Sequence, residues 1–175
     1  MSLRFGPVSR RLRSAVLLAG WGGCALVASG CGYKLAPRGT GLPEGVNAVC
    51  APIFANDTAE PALETLFTRY LRQELTRVGR LGGGDVPCEA RVEGTVVAVW
   101  SSPTIVGRFF RVYATVRLRL VREGQQPQET VVSGTEDYLP GSGDILESES
   151  NRQAALDRLA EVLMRDGFDR LASTW

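Results

Sequence analysis

Two stretches, Ala90-Arg-Val-Glu-Gly-Thr-Val-Val-Ala-Val-Trp100 and Phe110-Arg-Val-Tyr-Ala-Thr-Val-Arg-Leu-Arg-Leu120, set the fold class of this 175-residue chain. In the second, Phe110, Val112, Ala114, Val116, Leu118 and Leu120 alternate with Arg111, Tyr113, Thr115, Arg117 and Arg119. A period of two is what a strand with one buried face requires. The first places Ala90, Val92, Gly94, Val96, Ala98 and Trp100 on one face and Arg91, Glu93 and Thr95 on the other, then turns apolar on both sides at Val97 and Val99. Ser101-Ser-Pro-Thr104 reads as the turn between them. A polar loop, Glu123 to Gln128, leads to a weaker strand from Glu129 to Leu139, so residues 89–139 read as an antiparallel meander.

Helical periodicity flanks the meander. From Ala59 to Arg80 the apolar residues Leu63, Leu66, Phe67, Tyr70, Leu71, Leu75 and Val78 recur at three- and four-residue spacing. Thr58 is the expected N-cap, and Gly82-Gly-Gly84 ends the helix. A second helix is predicted from about Asn151 to Ser173, opened by a Ser150–Gln153 capping box, with Leu156, Leu159, Ala160, Leu163 and Leu171 buried and Gly167 a weak point. Ahead of the first helix, Val46 to Ala55 reads as an edge or bulged strand, because Pro52 removes a ladder donor. The order β-α-β-β-β-α predicts an α+β two-layer sandwich: a mixed four-stranded sheet with two helices on one face, the other face left for solvent or a partner.

Composition narrows the chemistry. The chain is 44% apolar, carries 20 basic and 19 acidic side chains, and has no histidine. Ser-His-Asp and Cys-His nucleophile pairs and His-bearing zinc sites are therefore excluded. No glycine-rich phosphate loop follows a strand, no CxxC pair occurs, and no acids cluster at metal spacing. The expectation is a protein that is not an enzyme and takes no metal or cofactor.

The amino terminus carries an address. Residues 1–30 contain Arg4, Arg10, Arg11 and Arg13 but no acid, and run into an apolar stretch from Ala15 to Ala28. That is the order of a signal peptide, and the stretch is too short and glycine-rich for a span of about 20 residues. It closes on Val27-Ala28-Ser29-Gly30-Cys31, which resembles the lipobox of bacterial lipoproteins and makes Cys31 the expected acylated first residue of the mature chain. Cys24 is the weaker alternative, since the bulky Trp21 precedes it by three residues. An ordinary secretory signal would keep the compartment and lose the anchor. Residues 31–45 then read as acylated N-terminus and linker, and residues 46–175 as a single domain. Without its first 30 residues the chain keeps 16 basic and 19 acidic side chains, a formal charge of about −3 that disfavours nucleic acid as a partner.

Two features remain as candidate sites. Cys50 and Cys88 can pair in an oxidising compartment or stay as free thiols, and their order in the chain leaves both open. Arg91, Arg111, Arg117 and Arg119 share the polar face of the middle strands with Tyr113, where alternating guanidinium groups can hold phosphates bidentately or simply be solvated.

The mature start Cys31-Gly-Tyr-Lys-Leu35, the segment Leu42-Pro-Glu-Gly45, the strand Val49-Cys-Ala-Pro-Ile-Phe-Ala-Asn-Asp-Thr58 and the closing helix ending at Trp175 together resemble the lipopolysaccharide-assembly lipoprotein family LptE. The resemblance covers essentially the whole mature chain. It implies a lipid-anchored outer-membrane protein on the periplasmic side that plugs an LptD-like β-barrel translocon and helps deliver lipopolysaccharide to the outer leaflet. The arginine face would then meet lipopolysaccharide phosphates, and hairpin loops would enter the barrel. Cys50, Cys88 and the short loop Ser101 to Gly107 depart from the family's common pattern. A periplasmic lipoprotein that activates a peptidoglycan synthase is the competing reading.

Overall fold

The computed structural model describes Leu42, residues 46–104 and residues 107–173; the signal peptide, Cys24, Cys31 and Trp175 lie outside the described residues. The elements are β1 (Val49–Cys50), β2 (Ala55–Asn56), α1 (Leu63–Arg77), β3 (Ala90–Pro103), β4 (Phe110–Val121), β5 (Gln128–Tyr138) and α2 (Ile145–Ser173). The sheet runs β1-β3-β4-β5, with β2 beside β1 on the outer edge of β3. Both short strands pair parallel to β3, Val49 opposite Ala90 and Ala55 opposite Thr95, while β3, β4 and β5 form an antiparallel meander. Parallel pairing needs a crossover, and α1 supplies it.

The sheet is mixed as expected but has five strands rather than four, because the first strand is broken at Pro52. Proline cannot donate to the ladder, so the chain leaves β3 there and rejoins it at Ala55. Side chains of α1 bind the backbone of the gap: Arg72 Nε donates to the Ala51 carbonyl at 2.8 Å, and Thr68 Oγ1 accepts from the Phe54 amide at 3.0 Å.

Both helix starts differ from expectation. Thr58 does not cap α1. Its amide donates to Asn56 Oδ1 at 3.0 Å and its hydroxyl accepts from the Glu60 amide at 3.2 Å, closing a separate turn before the helix begins after Ala62 at φ 68°. The second helix begins six residues earlier than expected, and Ser150 and Gln153 lie inside it. Asp144 caps it by accepting from the Leu146 amide at 2.9 Å, and Glu147 reaches back to the Ser142 amide at 2.9 Å.

The largest departure lies in β3. Val96 stands opposite Val116 but Ala98 stands opposite Thr115, so Val97 is an extra residue in the ladder. Such a β-bulge reverses the facing of everything beyond it. Ala98 and Trp100, expected on the core face, turn to the face without helices, while Val99 packs against the core. The strand also continues through the expected turn to Pro103.

One core joins the layers. Phe67, Leu71 and Leu75 of α1, Leu156, Met164 and Leu171 of α2, and Val92, Val96, Val116 and Leu118 of the sheet are fully buried. Each such side chain contributes about 1.5–3 kcal/mol on burial. Leu42, from the stretch expected to be linker, is buried with them. Two glycines set the spacing. Gly167, read as a weak point of the helix, is where α2 crosses β4: a Cβ there would stand 2.5 Å from Leu118 Cδ1. A Cβ on Gly94 would fall 2.3 Å from the Phe54 ring.

Cys50 at the end of β1 and Cys88 just before β3 are disulfide-bonded, with Cα atoms 5.6 Å apart. The bond fastens the two-residue strand β1 to the start of β3, beside the backbone bonds that hold Val49 to Arg80 and Gly82 on its other side.

Replacing Gly94 by alanine should lower stability by about 1–3 kcal/mol, as overpacking beneath a rigid ring does, read as a drop in melting temperature; an unchanged midpoint would show that Phe54 moves aside freely. Removing the disulfide as Cys50→Ser with Cys88→Ser releases a loop spanning 38 residues and should cost about 4 kcal/mol on the chain-entropy estimate. Equal denaturant midpoints for the double variant and the oxidised parent would refute that contribution.

Candidate interaction face

The helices cover one side of the sheet, and the other carries the outward side chains of β3, β4 and β5 in rows fixed by register. From one end to the other these are Glu93–Arg119–Glu129, Thr95–Arg117–Val131, Ala98–Thr115–Ser133, Trp100–Tyr113–Thr135 and Ser102–Arg111–Asp137, with Arg91 beside Val121 beyond the first. The four arginines expected on this face are on it.

Most of them already have partners there. Arg111 grips Asp137 bidentately, Nε to Oδ1 at 2.6 Å and a terminal nitrogen to Oδ2 at 2.9 Å. That bond raises the Arg111 pKa and holds the Asp137 carboxyl below its usual range. Arg117 lies 3.3 Å from Glu129, and Arg91 lies 3.5 Å from Glu93. Arg119, diagonal to none of these acids but directly across from Glu93 and Glu129, makes no ion pair among the described residues. A face that reads as basic along one strand is thus close to charge-balanced across three. The signal was available in β5, where Glu129 and Asp137 share a parity, but using it requires the hairpin register.

Between the charged ends stand Trp100 and Tyr113, stacked with ring centroids 4.8 Å apart and planes within 3°. Sequence alternation assigned Trp100 to the core, and only the bulge brings it here. The break in alternation at Val97-Ala98-Val99 was its one trace.

Behind this face, Arg152 of α2 is largely buried and donates to both oxygens of Glu60 at 2.7 and 2.6 Å and to Ser101 Oγ at 3.2 Å. Hydrogen bonding to Glu60 raises its pKa. The group ties α2, the turn before α1 and the far half of β3 together, so the part of β3 carrying Trp100 is braced from the core side. At the opposite end, the disulfide lines a hollow of about 1150 Å³ with Arg72, Arg91 and Glu93. Among the described residues no group of side chains is arranged to hold a metal ion, and no helix is long and apolar enough to cross a membrane.

Comparison with known proteins gives a family. None of the curated proteins is significantly similar in sequence. Among solved structures, rare lipoprotein B from Shewanella oneidensis superposes with a TM-score of 0.51 at 14% identity, over 72% of this chain and 95% of that one. The PelC dodecamer from Paraburkholderia phytofirmans gives 0.50 at 14% identity, over 72% and 88%. At that identity both show a shared fold and nothing more. The family model described as lipopolysaccharide-assembly, LptE, matches residues 46–171, which span both helices and the entire sheet except the helix tip. The chain therefore belongs to the LptE family of lipopolysaccharide-assembly lipoproteins.

Proposed function

We propose that this protein is an outer-membrane lipoprotein, cut after residue 30 and anchored on the periplasmic side through acylated Cys31, that plugs an LptD-like β-barrel translocon and assists its assembly. Residues 31–45 lead from the anchor to the domain of residues 46–175. The family match over residues 46–171 carries the reading. Among the described residues helices cover one face of the sheet only, and this supports the reading because the other face can receive a partner.

The arginines are the proposed contact for lipopolysaccharide phosphates. Arg119 has no ion pair among the described residues to give up, and the exposed pairs of Arg91 and Arg117 cost little to exchange, since such pairs contribute about 0–1 kcal/mol. A multiply charged phosphate can displace them. Arg111, held bidentately, is the least available of the four.

In mild detergent the full-length protein should co-purify with a large β-barrel, and Cys31→Ser should leave it unprocessed or released from the membrane fraction. Recovery of a peptidoglycan synthase in place of the barrel would establish the competing reading, and depletion that leaves barrel assembly and surface lipopolysaccharide unchanged would remove the plug. The double variant Arg117→Ala with Arg119→Ala should bind lipopolysaccharide about tenfold or more weakly at low salt while staying folded, because charge-assisted bonds contribute about 1.5–3 kcal/mol when desolvated. Parent-like binding by a folded double variant would show that the arginines are merely solvated.

A further inference from the structure

The bulge at Val97 takes an indole out of the core and exposes half of it, with Trp100 at 50% accessibility. Its surroundings on the open face are short: Ala98, Ser102, Thr115, Ser133 and Thr135 form a floor above which, among the described residues of β3, β4 and β5, the two stacked rings stand between the charged rows. Tyr113 covers one face of the indole. The opposite face looks toward the outer edge of β3, where pairing with β2 ends at Val96 and, among the described residues, no strand continues beside residues 98–103. One row away lies the Arg111–Asp137 pair, whose side chains remain 42% and 44% exposed and keep N–H groups and lone pairs beyond the two bonds between them.

We propose that Trp100 and Tyr113 form a saccharide platform, on which a pyranose ring stacks against the indole while Arg111, Asp137 and the neighbouring hydroxyls bind its hydroxyl groups. The chemistry matches at each point. An aromatic face is electron-rich and apolar, and suits the C–H-bearing face of a sugar ring. The hydroxyl rim of that ring needs donors and acceptors side by side, which a planar Arg–carboxylate pair offers together. Since that pair is already neutralised, this end of the face selects an uncharged sugar, whereas Arg117 and Arg119, the proposed phosphate-binding end, lie about 13 to 20 Å from Tyr113 along β4. The inference rests on the glycolipid reading above for the source of the sugar: phosphates at one end, saccharide at the other.

The test is calorimetric titration of the full chain in detergent micelles with a neutral core oligosaccharide stripped of acyl chains and phosphate. The parent should bind it with little dependence on salt, Trp100→Leu should bind about tenfold or more weakly, and Trp100→Phe, which keeps a ring, should fall between. The Arg117→Ala, Arg119→Ala protein should bind the neutral saccharide like the parent. In parent protein the Trp100 indole N–H resonance should shift on saccharide addition, a readout that needs no variant to fold. Absence of saccharide binding by the parent, or equal binding by a folded Trp100→Leu protein, overturns the platform. Intact lipopolysaccharide bound normally by Trp100→Leu but weakly by the arginine double variant overturns the platform and leaves the phosphate reading standing; saccharide binding that depends on Trp100, with lipopolysaccharide bound normally by the arginine variant, does the reverse. If Trp100→Leu loses the barrel partner and the parent ignores saccharide, the rings are a protein contact and the proposal fails.

Discussion

The ladder between β3 and β4, running from Arg91 opposite Val121 to Pro103 opposite Phe110, is the constraint on which the other elements rest. Side chains along a strand alternate with a period of two, so a slip of one residue in β4 would send Arg117 and Arg119 into the core and Val116 and Leu118 into water. Burying those charges costs several kcal/mol each, which excludes the slipped register. With the register fixed, the parallel edge, the helix over it and the β5–α2 pair each have one place to pack. The bulge is a slip of this kind that the chain tolerates. It occurs where Val97, Ala98 and Val99 are all small or β-branched, so either face accepts what it is given.

That tolerance also explains what the sequence reveals and what it hides. The meander and both helices are legible because Leu and Val recur at strict periods, and the family resemblance follows from short motifs in the right order. The helix starts are not legible because Ser, Thr, Asp and Asn can each satisfy a local amide. Thr58 bonds within a turn and Asp144 takes the cap assigned to Ser150, and choosing among them requires knowing which amides tertiary packing leaves open. The bulge was hidden for a similar reason, since Val97, Ala98 and Val99 suit either face and the change of side shows only beyond them, at Trp100.

The arginine face shows the same limit in electrostatic form. Counting charges along β4 alone gives a basic strip. Pairing across strands adds Glu93, Glu129 and Asp137, and turns the strip into a surface with its cations lightly held at one end and firmly held at the other. Such an arrangement suits an open sheet face to water, because neither a bare apolar patch nor a strong field of one sign is presented to it.

The contact between Gly94 and Phe54 has a consequence for how relatives of this protein change over time. The two positions are far apart in the chain but share one volume, so a side chain can grow at one only where it shrinks at the other. Substitutions there are coupled, and the pair forms a fixed point joining the broken edge strand to the centre of the sheet. In this chain the register of β3 is thereby marked by a glycine facing an aromatic ring, since the constraint acts on the sum of two side chains and not on either alone.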